Sequence, residues 1–242
     1  MNCKEEQLRT AMLLGCEAME RLKNAHVAVF GIGGVGGHLC EALARAGVGA
    51  IDLFDNDTVS LSNINRQAVA LHSTVGLPKV EVMRDRIKDI NPDCRVEIHQ
   101  AFYLPQNADE YPLEKYDYIA DAIDTVSAKI ELAVRADRAK IPLIASMGTG
   151  NRTDPTKFAV TDLFRTEGCP LARVMRRELK ARGIRHLKVV FSSEPTVQSP
   201  IDPPALPDDS ERRKPVPASL PFVPSVAGLI MAREIVFDLI SK

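Results

Sequence analysis

Gly31-Ile32-Gly33-Gly34-Val35-Gly36 places four glycines within six residues. Glycine lets backbone N–H groups close in on a phosphate, and a helix starting just downstream adds positive potential. Asp55 follows 19 residues after Gly36, where a carboxylate accepts from a ribose hydroxyl. Alone, this pair fits NAD as well as ATP. The next residues discriminate. Ser60-Leu61-Ser62-Asn63-Ile64-Asn65-Arg66-Gln67 is followed by Gly76-Leu77-Pro78-Lys79, so two cations, Arg66 and Lys79, can converge on one phosphate crevice. A dinucleotide is held mostly by backbone and helix dipole. A triphosphate attacked at its α-phosphorus develops more charge and calls for Arg and Lys clamps. Asp121-Ala122-Ile123-Asp124-Thr125 ends an apolar run, and a carboxylate there can hold Mg²⁺ against phosphates. The plain alternatives are a solvated surface cation for Arg66 or Lys79 taken singly, and a helix N-cap for Asp124.

These residues need a scaffold, and the hydrophobic pattern predicts one. Apolar and charged positions alternate at helical spacing over 8–23. His26–Phe30 and Ala50–Phe54 read as buried strands, with a helix over Leu39–Ala46 closed by Gly47 between them, which makes a βαβ unit. Further helices are expected over Lys79–Ile90, Ser127–Lys140 and Leu171–Ala181, and strands over Arg95–His99, Tyr118–Ala122 and Leu143–Ser146. Alternating strands and helices predict an α/β, Rossmann-like, mostly parallel sheet with helices on both faces. One domain is expected over 1–242. Within it, residues 195–224 hold nine of the sixteen prolines and predict a mobile loop. A docked amphipathic helix is expected over 225–241, its apolar core running from Val226 to Ile240.

The 242 residues carry 31 Lys+Arg against 32 Asp+Glu, a net charge of −1. That excludes a polycationic coat and an acidic solvating tail. Trp is absent and aromatics are 5%, which disfavours base-stacking platforms for RNA. Five scattered cysteines, Cys3, Cys16, Cys40, Cys94 and Cys169, form no C-x-x-C pair. No zinc site is therefore expected, and the set reads as reduced thiols in a cytoplasmic protein. No signal peptide or membrane span is expected.

The chain resembles the E1-like adenylating superfamily, the relatives of ThiF and MoeB, over about residues 8–240. The resemblance rests on the glycine run at 31–36, Glu-Ala-Leu-Ala-Arg-Ala-Gly-Val-Gly at 41–49, Asn-Ile-Asn-Arg-Gln at 63–67, Val-Gly-Leu-Pro-Lys-Val at 75–80 and Ile-Asn-Pro-Asp-Cys-Arg-Val at 90–96. Thr-Asp-Pro-Thr at 153–156 and Phe-Val-Pro-Ser-Val-Ala-Gly-Leu-Ile at 222–230 are most similar to its tRNA threonylcarbamoyladenosine dehydratase branch. The resemblance implies an E1-like adenylation fold with ATP and Mg²⁺. Gly31, Gly33, Gly34 and Gly36 would line the nucleotide, Asp55 would bind its ribose, Asn63, Arg66 and Lys79 its phosphates, and Asp124 would bear on Mg²⁺–ATP. Arg9, six residues before Gly15, matches the arginine that MoeB-like members lend to the partner subunit, so a homodimer is implied. The shared chemistry is adenylation of a carboxylate. In the dehydratase branch that carboxylate is the threonyl carboxyl of N6-threonylcarbamoyladenosine at tRNA position 37, which then closes to a cyclic ester as AMP leaves.

The missing C-x-x-C pairs depart from the zinc-bearing relatives and agree with the dehydratases. Some dehydratases carry a cysteine just before the segment matching Phe222, but here the residues are Pro217-Ala218-Ser219-Leu220. No thioester step is expected there, because a tethered oxygen cyclises without one. Cys169, before Pro170 at an expected helix start, is either a thiol of lowered pKa or an incidental residue. For tRNA, residues 173–188 hold Arg173, Arg176, Arg177, Lys180, Arg182, Arg185 and Lys188 against only Glu178, the composition of either a phosphate-tracking patch or a solvated helix face. Two rival functions are adenylation of the C-terminal Gly-Gly of a ubiquitin-like sulfur-carrier protein and an NAD-dependent oxidoreductase resting only on the glycine run and Asp55; a sulfur-transfer protein is a further candidate partner. A scaffold without catalysis would not need Arg66, Lys79 and Asp124 together.

Overall fold

The computed structural model describes residues 4–201 and 217–241. Seven strands form one sheet: β1 (His26–Phe30), β2 (Ala50–Phe54), β3 (Arg95–His99), β4 (Tyr118–Asp121), β5 (Leu143–Ser146), β6 (Phe158–Asp162) and β7 (Lys188–Ser192). The order is β3-β2-β1-β4-β5-β7-β6. All pairs are parallel except β6 with β7, which is antiparallel. The central strands are buried on both faces, as crossover helices require. β6 and β7 were not among the strands expected from the sequence. Their Phe-Ala-Val-Thr-Asp and Lys-Val-Val-Phe-Ser runs are short and follow segments that gave no clear periodicity.

Helices α1 (Leu8–Leu14), α2 (Cys16–Asn24), α3 (Gly36–Ala46), α4 (Lys79–Ile90), α5 (Val126–Ala139), α6 (Pro170–Ala181) and α7 (Phe222–Ile240) complete the fold. The helix expected over 8–23 is two helices, broken at Gly15. α3 ends where Gly47 turns left-handed at φ 93°, the usual C-terminal stop. α6 starts on Pro170 at its first turn, where a missing N–H costs nothing. One apolar cluster joins α2, α3, α4 and α7 on one face of the sheet. A second joins α5, α6 and the segment around Tyr103, Leu113 and Tyr116 on the other.

α7 corrects the amphipathic expectation. It starts at Phe222, buries Val223, Ala227, Met231, Ile235 and Leu239, and also leaves Phe222, Leu229 and Phe237 exposed. Its charges anchor it rather than solvate it. Asp238 accepts from Tyr118 Oη at 2.6 Å and from Lys188 Nζ at 2.7 Å, and Glu234 from Lys188 Nζ at 3.1 Å. The bulk of the expected 195–224 loop, residues 202–216, lies outside the described residues. Its two described ends, 195–201 and 217–221, have no strand or long helix and are pinned at defined points described below. Among the described residues no helix is long and apolar enough to cross a membrane.

Candidate nucleotide and adenylation site

The glycine loop sits at the carboxyl ends of β1 and β4, between the strand it leaves and the helix α3 it opens. Gly31 has φ 91°, and a Cβ there would lie 2.7 Å from the Ala122 carbonyl oxygen. A Cβ on Gly36 would collide with the Gly31 carbonyl. Both positions therefore require glycine, for the turn and for close packing of α3 on the loop. Gly33 meets only Gln67 Nε2, at 4.0 Å, so the space above it is open for a ligand. Gly34 packs on Pro224 of α7 and on the Arg66 stem. The positive end of α3 faces this space, as phosphate sites use it.

Asp55 is held by the loop it serves. Its Oδ2 accepts from Ile32 N at 2.6 Å and its Oδ1 from Asp57 N at 2.8 Å. Each carboxylate oxygen keeps a further lone pair for a ribose hydroxyl. Burial pushes the Asp55 carboxyl above the usual carboxylate range, against the opposing pull of Lys79.

Lys79 is buried, with its Nζ 2.7 Å from Asp57 Oδ2. Asp57, which is half-exposed, thus links the Asp55 turn to the first turn of α4. Sequence reasoning missed Asp57, although the acid–Asn–acid run at 55–57 was a turn signal. Arg66 donates from Nη1 to the Ser62 carbonyl and to Asn65 Oδ1, both at 2.9 Å, and burial lowers its pKa. Asn63 is turned inward, its Oδ1 accepting from Ser60 N at 3.1 Å. It shapes the turn that presents Arg66. Asn65 does more than its motif indicated: its Nδ2 donates to the Ser219 carbonyl at 3.0 Å, tying the Arg66 turn to the segment that enters α7.

Asp124 is exposed on the loop between β4 and α5, where its Oδ1 accepts from Thr125 Oγ1 at 3.4 Å. A carboxylate with free lone pairs beside a phosphate loop suits Mg²⁺, which keeps most of its water and takes few protein ligands. The loop that carries Asp124 is fixed from below by a pair the sequence reading did not assign. Lys129 and Asp121 are both fully buried, with Nζ 2.9 Å from Oδ2. Lys129 Nζ also donates to the Ile123 carbonyl at 3.2 Å, and Asp121 Oδ1 accepts from Ile123 N at 3.1 Å. A lysine on the Leu132–Ala133–Ala136 face of a helix was the signal.

Arg9, expected in the partner subunit's site, does not join this one within its own chain. It is exposed on α1, and the neighbouring Gln7 packs on Gly47, at the end of α3 opposite the glycine loop. The basic stretch is not one face. Arg176 turns inward to the carbonyl and hydroxyl of Thr166, and Lys188 is a β7 residue engaged by Asp238 and Glu234. Arg177 and Arg182 both pair with Glu178, while Arg173, Lys180 and Arg185 remain exposed. Cys169 is a buried residue at the N-cap of α6.

The family model described as the ThiF family matches residues 5–240. The chain belongs to the ThiF family. A tRNA threonylcarbamoyladenosine dehydratase of Bacillus subtilis is 44% identical over 237 residues, covering 96% of this chain and 93% of that protein. The Escherichia coli tRNA N6-threonylcarbamoyladenosine dehydratase TcdA, solved in complex with AMP, superposes with a TM-score of 0.88 at 37% identity, covering 98% of this chain and 94% of that one. Its complex with ATP gives 0.87 at the same identity and coverage. A molybdopterin-synthase adenylyltransferase of Salmonella typhimurium is 40% identical over 129 residues, only 53% of this chain and 51% of that protein. This ThiF-family chain therefore has the fold its glycine run and Asn-x-Asn-Arg motif implied.

Proposed function

We propose that this chain dehydrates N6-threonylcarbamoyladenosine at position 37 of tRNA, using ATP to adenylate the threonyl carboxyl. The observation that carries the reading is near end-to-end similarity to the dehydratases, against half-length similarity to the carrier-protein adenylyltransferase.

The first step is attack of a carboxylate oxygen on the α-phosphorus, with loss of pyrophosphate. The Gly31–Gly36 backbone and the α3 N-terminus hold the phosphates, and Asp55 holds the ribose. Arg66 and Lys79 offset the charge that builds at the α-phosphate, Lys79 by exchanging its Asp57 partner for phosphate oxygen. Asp124 would hold Mg²⁺, which would supply positive charge against the triphosphate. In the second step the carbamoyl oxygen attacks the acyl carbon, the acyl–phosphate C–O bond breaks so that AMP leaves with the former carboxylate oxygen, and the carbamoyl N–H proton is lost to solvent. No thiol is needed, because the nucleophile is part of the same side chain. Ser219, where some dehydratases have a cysteine nearby, instead supplies a carbonyl to Asn65.

The working form is a cytoplasmic homodimer in which Arg9 of each subunit serves the other's ATP. Its placement beyond the far end of α3, beside the exposed Leu8, Met12 and Leu13, supports action across an interface. Arg173, Lys180 and Arg185 track the tRNA phosphates. A sulfur-transfer protein is a further candidate partner. The test is nucleoside mass analysis of threonylcarbamoyladenosine tRNA after incubation with the protein and ATP. The expected product is lighter by one water and forms only with ATP. An unchanged nucleoside, with AMP formed instead on a carrier protein ending in Gly-Gly, would overturn the reading.

A further inference from the structure

Among the described residues, the buried Asp and Lys side chains all have partners of opposite charge. Asp52 pairs with Lys115, Lys79 with Asp57, and Asp121 with Lys129. Arg152 does not. It is 2% exposed, its Nη1 is buried without a partner, and its Nε donates only to the Gly148 carbonyl, at 3.2 Å. The acid whose charge it feels, Glu194, is already engaged: its carboxylate accepts from Thr153 N, Thr153 Oγ1 and Asp154 N. Burying a guanidinium with no carboxylate bonded to it is costly. A fold that keeps one either tolerates that cost or has a ligand that completes it.

Its position favours a ligand. Arg152 lies just past the carboxyl end of β5, the strand beside β4, on the edge of the sheet where open α/β folds bind ligands. The preceding residue, Asn151, holds both ends of the proline-rich segment. Val197 N donates to the Asn151 carbonyl at 2.8 Å, Asn151 N to the Ala218 carbonyl at 2.7 Å, and Ala218 N to Asn151 Oδ1 at 2.7 Å. Asn151 does this with φ 56°, an uncommon conformation for a residue with a side chain. Ser219, one residue on, is tied to Asn65 beside Arg66. The orphan guanidinium and the phosphate-site arginine are thus joined by one short run of chain.

We propose that Arg152 is the receptor for the carboxylate of the substrate, binding and orienting the threonyl side chain of the modified base. The inference rests on the dehydratase reading above. Its depth selects carboxylate over RNA phosphate: a phosphodiester is flanked by two sugars, whereas a carboxylate at the end of a base substituent can reach a nearly buried fork. Arg and carboxylate also match as a bidentate pair.

The test compares Kd for tRNA carrying threonylcarbamoyladenosine with Kd for the same tRNA with plain adenosine, in the wild type, Arg152→Met and Arg152→Lys. Wild type should prefer the modified tRNA. Arg152→Met should lose about tenfold or more on the modified tRNA, equivalent to ~1.4 kcal/mol, and none on the plain one. ATP affinity should hold, and the Tm should not fall, because an unpaired buried charge has been removed. Arg152→Lys, which keeps the charge but not the fork, should retain only part of the preference, and it decides the question if the Met variant does not fold. Full preference in either folded variant, or an equal loss on both tRNAs, would overturn the proposal. A wild type that neither prefers nor converts the modified tRNA would instead overturn the dehydratase reading.

Discussion

The two halves of the sheet handle buried charge in opposite ways. In the half built on β1, β2 and β4, Lys79 and Lys129 are each locked to a carboxylate, and those pairs hold the turns that carry Asp55 and Asp124. In the half built on β5, β6 and β7, Arg152 is buried with no carboxylate partner among the described residues. On the proposed reading, the difference separates a nucleotide cradle whose turns are held by paired charges from a subsite in which the substrate carboxylate supplies the missing partner.

The largest effect expected from that contrast is on stability. Lys129→Met leaves Asp121 buried and uncompensated, and urea denaturation should show a loss of ~3–5 kcal/mol. The double variant Lys129→Met/Asp121→Leu should recover much of it. A single variant as stable as wild type would remove the distinction between the two halves. Next comes Arg66→Ala. Among the described residues the hydrogen bonds of the Arg66 side chain stay within its own turn, to Ser62 and Asn65, so the fold should survive. The adenylation barrier should rise by ~3 kcal/mol, the usual effect of removing an electrostatic donor. Wild-type pyrophosphate exchange from a folded Arg66→Ala protein would leave the cradle without its proposed clamp.

The residues of the proposed cradle stand out in the sequence because they are local. Gly31, Gly36, Asp55, Arg66 and Lys79 lie within 49 residues, and strand–turn–helix spacing fixes where each one points. Among the described residues, five of the seven helices and five of the seven strands follow from hydrophobic period with ends shifted by a few residues; the other two helices are the halves of the one expected over 8–23, split at Gly15. What could not be read depends on contacts distant in sequence. Lys188 and Arg176 belong to a basic stretch by composition, yet β7 pairing turns Lys188 toward α7 and an i−10 contact draws Arg176 to Thr166. Arg152 carried no signal at all. A lone arginine after Gly-Thr-Gly-Asn reads as surface until the proline-rich ends are seen closing on Asn151.

A smaller effect concerns the remaining basic residues. Changing Arg173, Lys180 and Arg185 to Glu should weaken tRNA binding whatever the modification and flatten its salt dependence, by ~0.9 in log–log slope for each phosphate no longer neutralised. The same change at Arg177 and Arg182, already paired with Glu178, should do less. Equal effects from the two sets would show that intrachain pairing does not decide which cations are available. The smallest expected signal tests whether the cradle is complete in one chain. Arg9→Ala and Arg66→Ala homodimers should both be poorly active. Mixed and re-equilibrated, they should regain roughly a quarter of wild-type activity, since about half the dimers are mixed and one of their two sites is whole. No recovery after confirmed subunit exchange would place Arg9 outside the partner's site.

In the proposed reaction a carboxylate oxygen of the modified base becomes bonded to the α-phosphorus of ATP. It can be followed directly by preparing tRNA whose threonylcarbamoyl carboxylate carries ¹⁸O and analysing both products by mass after one turnover in unlabelled water. The account predicts one ¹⁸O in each AMP released, with the other retained in the cyclised base. AMP free of label, with both ¹⁸O atoms still in the RNA or one lost to water, would contradict it.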